Sequence, residues 1–141
     1  MPEIINNQRK VSIDRTILEE FAAKLSDSLT ETTGGTFTVA FISDSRMKEL
    51  NRSFRGKDGT TDVLSFPFER DEYDPDTSSL GEIAISAAQA QKQATENNLT
   101  LETEIKQLML HGVLHLCGYD HETDDGEMNK RELELRDILG I

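Results

Sequence analysis

The stretch His111-Gly112-Val113-Leu114-His115-Leu116-Cys117-Gly118-Tyr119-Asp120-His121 holds all three histidines of the 141-residue chain. Its first part continues a helical pattern over about 101–117, in which Ile105, Leu108, Met109 and Leu116 share a broad apolar side with the first two histidines. On such a helix His111 and His115 are one turn apart and lie on one face. Gly118 then permits a sharp turn that carries His121 back toward them. Three imidazole nitrogens gathered this way make a facial metal site with a fourth position open, as in catalytic rather than structural zinc. The alternative is two satisfied core histidines and an unrelated loop histidine. A lone H-x-x-x-H would favour that alternative, but the third histidine at this offset, with none elsewhere, favours one Zn²⁺ per chain. Bound zinc lowers the pKa of its water to about 7, so it needs no strong protein base.

Working outward, Thr100 with Glu102 and Glu104 marks the start of the histidine helix. A last helix is expected at about 125–138 and a preceding one at about 86–97. Residues 3–6 predict an edge strand. A helix at 14–30 follows the capping-type Ser12 and Asp14, with Ile17, Leu18, Phe21, Leu25 and Leu29 at helical spacing. Gly34-Gly35 ends it. Thr36 to Ser43 alternates and is rich in β-branched residues, predicting a strand; Asp44 or Ser45 then caps a short helix carrying Met47, Leu50 and Phe54. After the Gly56–Gly59 turn, Val63 to Phe68 reads as a strand whose Pro67 suits an edge or bulge. Arg70 to Ser79 reads as a surface loop, and Leu80 to Ile85 as another strand. The pattern predicts one α/β (α+β) domain over 1–141, with a small mixed sheet of about four strands packed against about five helices.

A chain of this length buries roughly two-thirds of its unfolded surface and needs no staples. The single Cys117 forms no internal disulfide, and Met1 to Lys10 has no apolar run of the signal-peptide kind, so a reducing cytoplasmic location is expected. No stretch approaches the ~18 apolar residues of a membrane span, so no membrane partner is expected. The formal net charge of −12 speaks against a general nucleic-acid binder. Its distribution is uneven: Arg46, Lys48, Arg52, Arg55 and Lys57 cluster where Glu49 is the only acid, whereas 71–76 and 122–134 are acidic. That cluster reads equally as a positive face or as a solvated helix face with ordinary charge pairs.

The histidine spacing matches the metzincin signature H-E-x-x-H-x-x-G-x-x-H, except that Gly112 occupies the place of the protease general base. A zinc peptidase-like hydrolase is therefore one candidate, disfavoured because amide hydrolysis must also protonate an amine leaving group. Three stretches together are more specific. His111-Gly-x-Leu-His115-Leu-x-Gly118-Tyr119-Asp120-His121, Asn51-Arg-Ser-Phe54-Arg55-Gly56-Lys57-Asp58 with Thr61-Asp62-Val63-Leu64-Ser65-Phe66-Pro67, and Leu80-Gly81-Glu82-Ile83 occur in this order over about residues 51 to 121. In them the chain resembles the YbeY family of ribosomal-RNA maturation endoribonucleases.

The resemblance implies a zincin-like fold, zinc held by His111, His115 and His121, and single-strand-specific cleavage in 16S rRNA 3′-end maturation and ribosome quality control. It implies ribosomal RNA and the small ribosomal subunit as partners, with ribosomal or assembly proteins as further ones. The implied catalytic set is Arg55 with the three histidines. A guanidinium can grip a phosphate bidentately and neutralise charge growing on it; without the resemblance, a surface salt bridge of Arg55 with Asp58 or Glu49 would be favoured. Asp120 either orients a zinc histidine or caps the turn. Gly81 and Gly118 serve backbone geometry, Leu114 and Leu116 packing, Glu82 structure rather than base catalysis, and Met128 the core rather than a Met-turn. A ribosome assembly factor with structural zinc is the non-catalytic alternative.

Overall fold

The computed structural model of the protein describes residues 2–31, 35–68, 79–120 and 122–141. In chain order the elements are β1 (Glu3–Asn6), α1 (Arg15–Ser28), β2 (Thr36–Ile42), α2 (Asp44–Arg55), β3 (Val63–Pro67), β4 (Ser79–Ser86), α3 (Ala87–Glu96), α4 (Leu101–Leu116) and α5 (Glu127–Leu139). The sheet order is β1-β2-β4-β3, with β1 and β4 parallel to β2 and β3 antiparallel to β4. This is the α/β architecture expected, four strands and five helices among the described residues. The edge positions of β1 and of the Pro67-containing β3 also match. His121, Gly34 and nearly all of the Arg70–Ser79 segment fall outside the described residues; Ser79 opens β4. No helix is long and apolar enough, among the described residues, to cross a membrane.

The two faces of the sheet are covered unequally. One face carries Ile4, Phe37, Val39, Phe41, Ile83 and Ile85 into the main core against Leu18, Phe21 and Leu25 of α1 and the apolar side of α4. The other is covered by α2, whose Met47 packs with Ile42, Leu64 and Ala84, flanked by Leu50 and Phe66. Because side chains alternate along a strand, β3 sends Leu64 and Phe66 to the α2 side and Ser65 to the α4 side. There the Ser65 hydroxyl donates to the Gly112 carbonyl at 3.1 Å. β3 is thus the edge strand that has α2 on one face and α4 on the other.

Two glycines permit this close assembly. Gly81 sits at φ +144° beside a register shift between Thr36 and Phe37; a Cβ there would collide with the Phe66 carbonyl oxygen and lie 2.9 Å from a Leu116 methyl. Gly112 faces the sheet, and a Cβ there would come within 3.0–3.2 Å of three atoms of the Ile83 side chain.

The cap of α2 corrects the sequence reading. Neither Asp44 nor Ser45 is the N-cap; Ser43 is, in extended conformation with its hydroxyl accepting from the Arg46 amide at 3.2 Å. β2 ends at Ile42, so the next residue makes the transition and Asp44 is already helical. Its carboxylate is free to accept from Thr60 Oγ1 at 2.6 Å, Ser86 Oγ at 3.1 Å and Gln89 Nε2 at 3.2 Å. With Asn51 donating to the Gly59 carbonyl at 3.1 Å, these bonds pin the 56–62 loop to α2, β4 and α3. α5 begins at Glu127 rather than near 125, because the Asp124 carboxylate accepts from the Gly126 and Met128 amides and caps the helix from outside.

Candidate metal and phosphate site

α4 presents His111 and His115 on one face, as their spacing requires. Their Nε2 atoms approach to 3.1 Å, and the rings meet nearly perpendicular, with centroids 4.7 Å apart. What directs them is on the far side of each ring. The end of α4 is closed by Gly118 at φ +98°, with the Gly118 amide donating to the His115 carbonyl and the Tyr119 amide to the Leu114 carbonyl. This turn swings the Tyr119 carbonyl to 3.0 Å from His115 Nδ1. A carbonyl only accepts, so the His115 proton resides on Nδ1 and the Nε2 lone pair is directed at His111. His111 Nδ1 in turn lies 3.5 Å from Oε1 of Glu132 on α5, a carboxylate that favours the same tautomer.

Both Nε2 atoms therefore meet at one locus, within reach of a single cation. Two imidazole nitrogens sharing a tetrahedral zinc ion lie about 3.3 Å apart, so the separation of this pair fits. A carboxylate and a carbonyl behind ligating histidines are also the usual means of fixing their tautomer and raising their basicity. Among the described residues, no group of three His, Cys, Asp or Glu side chains converges as a metal site; the third sequence candidate, His121, lies outside them.

Glu132 was not legible as a site residue. It is held in place from α5, which Arg131 ties to the end of α1 through Glu31 (2.8 Å), the Ser28 carbonyl and Thr30 Oγ1. The Glu31 bond raises the Arg131 pKa further, so this clamp stays charged. Arg136 reaches Glu132 at 3.7 Å.

Arg55, the last residue of α2, lines the same cleft as His111 and His115, a space of about 670 Å³ shared with Thr61, Asp62, Ser65, Tyr119 and Asp120. The alternative salt bridges do not form: Glu49 pairs with Arg46 at 2.9 Å, and Arg55 has no ion pair among the described residues. An exposed guanidinium facing a cleft with two convergent imidazoles is suited to hold an anionic group there.

The other named residues take structural parts. The Asp120 carboxylate accepts from the Glu122 amide at 3.0 Å and its carbonyl from Thr123 and Asp124, so it caps the turn; Tyr119 and Glu132 stand behind the Nδ1 atoms of His115 and His111. Met128 is buried in the core. Burial, with the nearby charge of Glu31, pushes the Cys117 thiol up to about 11, which keeps it protonated and poor as a nucleophile. Gly112, the position of the metzincin base, is turned toward Ile83 and has no room for a carboxylate.

Comparison with known proteins assigns the chain to a family. The family model described as Endoribonuclease YbeY matches residues 3–140. Two proteins named endoribonuclease YbeY are close relatives: one from Solibacter usitatus is 42% identical over 92% of this chain and 82% of its own length, and one from Nautilia profundicola is 45% identical over 91% and 89%. The solution structure of a Thermotoga maritima protein superposes with a TM-score of 0.67 at 33% identity, covering 99% of this chain and 90% of the other. The histidine pair, the arginine that shares its cleft and these matches over nearly the whole length lead to one conclusion: the chain belongs to the endoribonuclease YbeY family.

Proposed function

We propose that the protein is a zinc-dependent endoribonuclease that cleaves single-stranded RNA, with the small-subunit ribosomal RNA as substrate in 16S rRNA 3′-end maturation and ribosome quality control in the cytoplasm. The observation that carries this reading is the 3.1 Å convergence of His111 and His115 Nε2 in the cleft that Arg55 also lines. His111 and His115, with His121 as the third ligand, would hold the ion. When bound, zinc supplies a Lewis acid toward water and a phosphoryl oxygen.

The chain's own groups supply the rest. Tyr119 and Glu132 favour the tautomers with the proton on Nδ1, which turn the Nε2 atoms toward the ion. Arg55 takes the scissile phosphate through two parallel N–H donors and neutralises charge that grows on it. Gly112 leaves the cleft without the protease-type carboxylate, which favours phosphodiester over amide substrates. Ribosomal or assembly proteins are the further partners this reading expects.

The test is to strip the purified protein of metal, restore zinc, and assay a single-stranded RNA and its duplex form. Zinc-restored cleavage of the single strand with little of the duplex supports the reading. Equal cleavage by the metal-free protein, or zinc-dependent cleavage of an unstructured polypeptide that His111→Ala abolishes, overturns it.

A further inference from the structure

The chain has six phenylalanines, and their distribution is unequal. Phe21, Phe37 and Phe41 are buried in the main core, and Phe66 is half-buried against the smaller one. Phe54 and Phe68, by contrast, are 67% and 52% exposed. Both adjoin the cleft along the chain: Phe54 immediately precedes Arg55, and Phe68 immediately follows Pro67, two of its lining residues.

Phe54 is exposed but not loose. It stands in the last turn of α2, and its ring meets the half-buried Phe66 ring edge-on, with centroids 5.2 Å apart and planes at 71°. Phe66 is anchored in β3, opposite Glu82 of β4. Leu50, one turn back on α2, packs on the same smaller cluster. An aromatic ring braced in this way keeps its orientation while offering most of its surface to solvent.

The surroundings select an occupant. Arg46, Lys48, Arg52, Arg55 and Lys57 are all exposed on α2 and just beyond it; Glu49, paired with Arg46, is the only acid between positions 46 and 57, with Asp44 and Asp58 at either end of the run, in a chain whose net charge is −12. A ring flanked in the chain by cations, one of which, Arg55, lines the cleft, matches a single nucleic-acid strand, whose bases stack on aromatic faces while its backbone runs along positive charge. An apolar protein partner would find charged side chains next to the Phe54 ring.

We propose that Phe54 is a stacking platform for an unpaired base of the RNA strand next to the scissile phosphate held by Arg55. This rests on the endoribonuclease reading and adds a physical source for its preference for single strands. In a duplex both faces of each base are already covered by neighbours, so the ring has nothing to receive.

The experiment uses the zinc-loaded protein and a short single-stranded RNA carrying 2-aminopurine, whose fluorescence is quenched on stacking. The wild type should bind it with quenching. Phe54→Leu, which keeps an apolar side chain but no π face, should weaken binding about 10-fold, with the loss carried by KM more than by kcat and the quenching diminished. Phe54→Trp should restore both to within about 2-fold, since stacking rather than shape is at issue. If the wild type binds and cleaves the strand and Phe54→Leu does so equally well, the stacking role is wrong, the endoribonuclease reading stands, and the ring belongs to a protein contact. If the wild type neither binds nor cleaves it, the endoribonuclease reading fails first and the platform with it.

Discussion

Glu132 on α5 stands behind His111 as the Tyr119 carbonyl stands behind His115, at 3.5 and 3.0 Å from the respective Nδ1 atoms. The pair is aimed from outside, by groups on the next helix and the turn after its own. Removing the carboxylate should therefore loosen the ion without touching a ligand. Glu132→Ala is expected to lower zinc affinity about 10–100-fold, measured by competition with a chromogenic chelator. Glu132→Gln, which retains a carbonyl acceptor, should lose less.

Arg55 acts on a different quantity. It is exposed at the end of α2, so Arg55→Ala should preserve fold and zinc content while reducing RNA cleavage by about 10²-fold. Arg55→Lys should recover only part, since a point charge lacks the planar fork. Single-turnover rates on one RNA, beside metal analysis and thermal unfolding of each variant, separate this from a structural effect. A normal rate in Arg55→Ala would return Arg55 to an ordinary surface role.

Gly112 decides packing rather than chemistry. A methyl group there meets a buried Ile83 that cannot retreat, and the strain should outweigh the gain in helix propensity. Gly112→Ala should destabilise the fold by about 1–3 kcal/mol in urea unfolding. Adding Ile83→Val, which removes one of the contacting atoms, should recover part of the loss.

Asp44 gives the fold a pH dependence of definite sign. Burial pushes its pKa up, but the bonds from Thr60, Gln89 and Ser86 and the charge of Lys48 outweigh this and hold it below the ordinary carboxylate value. A carboxyl lowered in the folded state contributes stability that is present above its unfolded pKa and lost as pH falls through the folded one. Wild type should exceed Asp44→Asn by about 1–3 kcal/mol near pH 7, and the difference should shrink below about pH 4. A pH-independent gap would mean that the network holds equally well with a neutral side chain.

How far the sequence carries depends on whether a relationship is local. The histidine pair is a one-turn relationship, and the Gly118 turn follows it directly, so both can be read from spacing. The Ser43-Asp44-Ser45 triplet offers three good capping residues in a row, and propensity cannot choose among them; the end of β2 chooses. Glu132 hides in an acidic run that reads as a solvated face. Yet it lies four residues after buried Met128 and three before buried Leu135, so the helical period already assigns it to the inward side of α5. A carboxylate on an inward face is the signal that could have revealed it. The sheet order and the placing of α2 and α4 on opposite faces of β3 depend on long-range pairing, which no local pattern encodes.

The most direct test of the central claim, that the α4 histidines hold a catalytic ion, is metal analysis of wild type and His115→Ala after removal of adventitious ions, with RNA cleavage assayed on the same samples. One zinc per wild-type chain is expected, with metal and cleavage lost together in the variant, because the remaining nitrogens make a poor site. Full metal occupancy in folded His115→Ala would contradict the account.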